Sequence, residues 1–280
     1  MNAEDYFPKP PESIFKYFGP ERVGILKDLK IRFANPATFN DPFEVCPRFD
    51  LWGEEVANAA LKKLTVSHAE LGISPSQSAK FVDDYKKQGL KEHVKFHAQN
   101  FQKECGEKLR MLCFCESVNS PLMWAHYCDS QKGFALEFDT KHPFFHRLAK
   151  VQHPKERPTI KDPLPGFSIP LSKNDEWSYE KERRIVEEVT STMPYYEILP
   201  AESIKAIYLG LRMTPLVRWE IQVALNAEGR ANIQKFEMDL DSSAYKMIPI
   251  PVSNDTAPSN TAVSPCFQTG GAGKLSPAKD

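Results

Sequence analysis

Residues 112–138 read LCFCESVNSPLMWAHYCDSQKGFALEF. The run opens within an apolar stretch of strand length, residues 111–115. A Ser-Pro turn leads into a short helix over residues 121–128. Lys132-Gly133 then returns the chain to a second strand over residues 133–138, which carries Glu137. The helix packs Trp124, His126 and Tyr127 into four residues. Aromatic, imidazole and carboxylate groups this close together make either a polar knot in a core or a binding site.

Outward from this run, the same kind of short piece recurs. On the N-terminal side, residues 13–18 (SIFKYF) alternate enough for a strand, and Gly19-Pro20 ends it. Pro20 suits a helix start, with Val23, Leu26 and Leu29 at helical spacing. Residues 30–34 read as a strand, and residues 35–42 carry loop chemistry. Residues 54–109 are mostly helical. Ser74-Pro75-Ser76 starts one helix with Phe81 and Tyr85 on its apolar stripe, and Gly89 interrupts it. Residues 90–109 resume with Val94, His97, Phe101 and Cys105 at three- and four-residue steps. This block is expected to be an insertion or cap, with His68, His93 and His97 at its surface or boundary.

On the C-terminal side, residues 154–170 form a Pro-rich extended loop. Residues 177–189 enter a strand, and residues 204–209 are a buried strand. Residues 215–226 are a helix that Gly229 stops. Residues 233–238 and 245–252 are final strands. Residues 253–280 are rich in Ser, Thr, Pro, Ala and Gly and are expected to be a disordered tail. There is no regular βαβ rhythm and no Gly-rich loop after a strand, which argues against a Rossmann or P-loop site. The expected class is α+β with a mixed or mainly antiparallel sheet, in a single domain over residues 1–252.

The 280 residues carry a formal net charge of −1, so electrostatics gives no general reason to expect nucleic-acid affinity. No apolar run reaches the length of a membrane span. The N-terminus lacks a basic start and an apolar stretch, which predicts a cytoplasmic protein. The six cysteines include no CxxC pair and read as free thiols. A zinc site from Cys113, Cys115, His126 and Cys128 is weighed and disfavoured, because His126 and Cys128 point apart on a helix.

Four segments could carry chemistry. In Phe15-Lys16-Tyr17, neighbours on a strand face opposite sides of the sheet, so only Lys16 or Tyr17 should enter a cleft. In residues 39–44 (FNDPFE), Asn40 and Asp41 can cap backbone groups, Phe39 and Phe43 can anchor the loop, and Asp41 or Glu44 can face a cleft. In residues 123–127, Met123 and Tyr127 share a helix face while Trp124 and His126 diverge. In residues 179–184 (YEKERR), an extended chain puts Glu180, Glu182 and Arg184 on one face, with Glu182 ionised beside Arg184. Each segment also has a plain structural reading, as packing or solvated charge.

Taken in order, FKYF, FNDPFE, the block from Cys113 through LMWAHY to Phe138, YEKERR and the later Ile207-Tyr208-Leu209-Gly210 resemble a widespread bacterial family of uncharacterised function. Gln131 and Arg183 depart from its pattern, where Asn or His and Trp are usual; the second predicts looser packing around Glu182. A second, weaker resemblance is to the ADP-ribosyltransferase fold, through the strand–helix–strand cadence of residues 14–39. It implies an NAD-consuming transferase or glycohydrolase, a toxin or phage-defence effector, with NAD as substrate, a macromolecular acceptor and no metal. On this resemblance Lys16 or Tyr17 touches the ribose, Trp124 or Tyr127 stacks on nicotinamide, His126 orients and Glu182 is the catalytic carboxylate. Asn40, Asp41 and Arg184 complete the residues assigned to NAD. Two other classes stay open: a metal-dependent nuclease or hydrolase using Asp41, Glu44, His126 and Glu182, and a non-enzymatic interaction module.

Overall fold

A computed structural model of the chain describes residues 3–49, 72–84, 90–160, 168–189 and 195–252. The expected tail, the first part of the helical block with His68, the Tyr85–Gly89 step and residues 161–167 of the Pro-rich loop lie outside the described residues. The fold is α+β, helices around a large mixed sheet that is mostly antiparallel.

Among the described residues the main sheet has eight strands. In chain order they are β1 (Ser13–Phe18), β4 (Leu109–Cys115), β5 (Phe134–Asp139), β6 (Ala149–Lys150), β8 (Glu182–Glu188), β10 (Ile204–Leu209), β11 (Gln234–Leu240) and β12 (Met247–Pro251). Across the sheet they run β12-β11-β10-β5-β1-β4-β8-β6. β1 is central, so both its faces are buried: Ile14 and Phe18 face one core, Phe15 and Tyr17 the other. The parallel pair is β10 with β11. Parallel neighbours need a crossover, and helix α6 (Pro215–Ala227) supplies it. Thr214 caps that helix by accepting from the Val217 N–H, Pro215 enters at its first turn, and Gly229 follows at a φ of 67°.

Two smaller pairs flank the sheet: β2 (Lys30–Phe33) with β9 (Tyr195–Ile198), and β3 (Arg48–Phe49) with β7 (Thr159–Ile160). The helix expected from Pro20 divides into a 3-10 turn, Pro20–Arg22, and the one-turn helix α2 (Ile25–Asp28), closed by Leu29 at a φ of 53°. Val23, Leu26 and Leu29 are all buried, so the spacing marked the correct face. Within the helical block, α3 (Pro75–Asp84) and α4 (Leu90–Lys108) are described. Gly106 lies where α4 meets the loop: a Cβ there would stand 2.9 Å from both Ala37 Cβ and Asn35 Oδ1. Helix α5 (Pro121–Tyr127) covers the second face of β1, with Ser120 accepting from the Met123 N–H. Among the described residues no helix is long and apolar enough to cross a membrane.

The strand expected across residues 179–184 starts only at Glu182. Asp175–Glu180 is a 3-10 helix, and Lys181 turns the chain at a φ of 46°. Glu180 therefore shares no strand face with Glu182 and reaches the interior from the turn. Arg183 does not loosen its surroundings: it is buried, with bonds to Glu116 at 2.7 Å and the Pro8 carbonyl at 3.1 Å.

Candidate functional site

The sheet contains a split. β1 and β4 pair only at Phe15↔Cys115. Further back along β4, Met111 exchanges both backbone hydrogen bonds with Ala34, the residue after β2. Between these two points the strands part, and a cavity of about 280 Å³ opens. Its walls come from Phe15, Lys16 and Tyr17 of β1, Arg32 and Ala34 beyond, Phe39 and Asn40 of the loop, Met111, Cys113, Phe114 and Cys115 of β4, Met123 and Tyr127 of α5, and Lys173, Glu180 and Glu182. The volume is at the lower end for a small-molecule site, and flat apolar walls with a few polar groups are what such sites present.

One wall is an ionic network. Arg184, with no solvent exposure, donates to both oxygens of Glu182 at 2.8 and 2.9 Å. It also donates to both oxygens of Glu44 at 2.6 and 2.9 Å and to the Pro170 carbonyl at 2.7 Å. Its guanidinium lies over the Phe39 ring, 5.6 Å from the centroid. Lys173 donates to Glu180 at 2.5 Å and lies 3.5 Å from Glu182. Tyr127 donates to the other Glu180 oxygen at 2.5 Å. Buried charges survive only when paired and hydrogen-bonded in this way. Burial alone would push the Glu182 carboxyl up, but Arg184 and Lys173 hold it down at about 2. Glu44 goes the other way: burial pushes its carboxyl above the usual range despite Arg184, and the Glu182 charge adds to the push.

The facing wall is sparsely paired. Lys16 donates to the Cys113 carbonyl at 2.8 Å, and Tyr17 to the Ser117 carbonyl at 2.8 Å. Burial pushes the Cys113 thiol well above its ordinary value and the Cys115 thiol up to about 12. Neither sulfur is an activated nucleophile.

Glu182, Lys16, Tyr17, Asn40 and Tyr127 all line the cavity. Lys16 and Tyr17 do so together, against the expectation that only one would. β1 pairs with β4 only at Phe15↔Cys115, and the Lys16 amine reaches the Cys113 carbonyl at the cavity wall. The other assigned residues stand elsewhere. Arg184 is sealed beneath Glu182 and reaches no ligand directly. Trp124 is fully buried, its indole N–H given to the Val118 carbonyl at 2.7 Å and its ring set edge-on to Tyr17 at 5.2 Å. It braces Tyr17 and offers no stacking face. His126 is exposed on the outside of α5, its ring 6.3 Å from Tyr179. Asp41 is buried behind the rim: one oxygen accepts from the Phe43 N–H at 2.9 Å, and the other has no hydrogen-bond partner among the described residues. Phe43, expected to anchor the loop, is half exposed, and Glu44 anchors it through Arg184.

Lys173, Arg32 and the role of Glu180 were missed. Lys173 sits at the end of the Pro-rich loop in Ser172-Lys173-Asn174, with no pattern to set it apart. Among the described residues, no group of three or more His, Cys, Asp or Glu side chains is placed to hold a metal ion. Comparison with protein-family models, with curated proteins and with solved structures returns no match to this chain.

Proposed function

We propose that the cavity is an active site for breaking an N-glycosidic bond, with NAD as substrate and Glu182 as the catalytic carboxylate. The observation that carries this reading is a buried carboxylate held ionised by Arg184 and Lys173 at the side of an aromatic-walled cavity. Loss of nicotinamide from NAD passes through an oxocarbenium-like state. A fixed negative charge beside the ribose stabilises that state and costs no reorganisation during the reaction. Tyr17, Phe39 and Tyr127 offer flat surfaces to a nicotinamide ring. Asn40 and the exposed Arg32 stand at the mouth, where they suit ribose hydroxyls and a diphosphate. The sequence resemblance to ADP-ribosyltransferases points the same way, and an acceptor for the ADP-ribosyl group belongs to this proposal.

Incubation of the whole chain with NAD should release nicotinamide. Glu182→Gln should lower the rate by about 10²–10³-fold, the usual cost of one preorganised charge-stabilising group. Neither NAD binding nor turnover in the wild-type chain would sink the reading.

A second reading, a ligand-binding module without chemistry, is favoured by the saturation of Glu182. Arg184 occupies both its oxygens, with Lys173 close to one. In that case Glu182→Gln costs stability and NAD binds without being cleaved. The metal-dependent reading draws less support. Glu44 and Glu182 share one guanidinium, Asp41 lies behind the rim, and His126 lies outside the cavity.

A further inference from the structure

The cavity holds two lysines in opposite settings. Lys173 is clamped between Glu180 and Glu182 and covers the Trp177 ring at 4.5 Å. Burial pulls its ammonium down, but the two carboxylates hold it above the ordinary lysine value. Lys16 has no such clamp. Among the described residues it makes one hydrogen bond, to the Cys113 carbonyl, and no ion pair, and its amine lies 6.0 Å from the centre of the Phe114 ring. Its place follows from the split. The amine takes up a carbonyl of β4 just beyond the last β1–β4 pair. On the far side of β4, Cys113 is opposite Arg184 and Cys115 opposite Glu182. Nζ therefore sits beside the rungs that carry the ionised carboxylate, on the cavity wall.

We infer that Lys16 is a nucleophile of this site, its amine bonding to the anomeric carbon of a ribosyl group. The inference rests on the N-glycoside reading and adds a covalent step to it. The Nζ lone pair attacks C1′ and the bond from C1′ to the nicotinamide nitrogen breaks. Its electron pair returns to the ring, and nicotinamide leaves neutral. The adduct nitrogen loses a proton to water. The resulting glycosylamine opens: the C1′–O4′ bond breaks, nitrogen forms a double bond to C1′, and O4′ takes up a proton. Water adds to this imine, the amine departs, and ADP-ribose and free Lys16 are regenerated. Desolvation is a recognised way of freeing a lysine lone pair. Burial pulls Lys16 below the ordinary ammonium value, with Arg22 adding to the effect and Cys113 and Glu182 opposing it.

The test is to incubate the whole chain with NAD and sodium cyanoborohydride, then map adducts by peptide mass spectrometry. The expected result is nicotinamide release together with a reduced ADP-ribosyl increment on Lys16. Lys16→Arg, which keeps the charge and a donor for the Cys113 carbonyl, should lose both. Undiminished nicotinamide release in Lys16→Arg, with no adduct on the wild-type lysine, overturns the inference and leaves the N-glycoside reading standing. If the wild type releases no nicotinamide, that reading fails, and a second measurement decides on the lysine. Wild-type chain is treated with glyceraldehyde and cyanoborohydride. Alkylation of Lys16 ahead of the other lysines keeps it as a carbonyl-reactive nucleophile, and alkylation no faster than at exposed lysines removes it.

Discussion

The β8 side of the cavity and the β1 side bury charge in opposite ways. On the β8 side every charge has an answer: Arg184 meets Glu44 and Glu182, and Lys173 meets Glu180 and Glu182. On the β1 side Lys16 has a carbonyl and an aromatic ring. The first wall is a closed network whose members specify one another's positions. The second holds a lysine that no carboxylate clamps among the described residues and whose ammonium burial pulls below its ordinary value. The two walls also differ in backbone pairing: β4 and β8 pair along their whole length, whereas β1 meets β4 only at Phe15↔Cys115.

The comparison breaks if the two walls respond alike to substitution. The largest effect is expected from Arg184→Met. It strands two buried carboxylates and should cost about 3–5 kcal/mol in a urea unfolding experiment. Next is an acid effect. The Glu182 carboxyl is held at about 2, below its ordinary 4.5. A depressed carboxylate stabilises the fold above its unfolded value and loses that contribution as pH falls toward the folded one. The stability difference between wild type and Glu182→Gln should therefore shrink between about pH 4.5 and about pH 2, by roughly 3 kcal/mol. Glu44, whose raised carboxyl acts with the opposite sign, is itself relieved in Glu182→Gln, because the Glu182 charge contributes to the push on it. Tyr127→Phe removes a hydrogen bond to Glu180 and should cost about 1.5 kcal/mol, read from a thermal or urea midpoint. Lys16→Met is expected to change stability least, within about 1 kcal/mol of wild type, because it replaces a lysine that makes no ion pair among the described residues by an apolar side chain of similar length. A loss as large as that of Arg184→Met would show that Lys16 belongs to the structural network after all.

Local pattern made some of this legible and left the rest hidden. β1, β4, β5, β10 and α6 followed from apolar period and from Pro and Gly punctuation, which are local properties. β9 did not, because Tyr195–Ile198 is four residues long and its pairing with β2 depends on a partner far away in sequence. Tyr127 and Glu182 were found from spacing on a helix and on a strand. Trp124 and His126 entered the site through the resemblance, although helical spacing already sets them on diverging faces. On a helix each step turns the side chain by about 100°, so one faces the core and the other faces water. The strand rule that set Lys16 against Tyr17 assumes an intact sheet. It fails where the sheet opens, and nothing local in FKYF marks that opening. Glu180 was assigned to the wrong geometry because Lys181 takes a left-handed conformation that its residue type does not announce.

The order of the sheet also sets a timetable. Its centre, β5-β1-β4, is complete once residue 139 has been made, and the remaining strands add to either flank. Chains emerge from the ribosome N-terminus first. In the order of synthesis, Lys16 and the segments around it leave the ribosome before the strand bearing Glu182 and Arg184. A nascent chain that stops short of Glu182 carries Lys16, the aromatic wall residues and Glu180, but lacks both Glu182 and Arg184. If the cavity consumes NAD, the cell meets that activity only after most of the polypeptide has been committed to the fold.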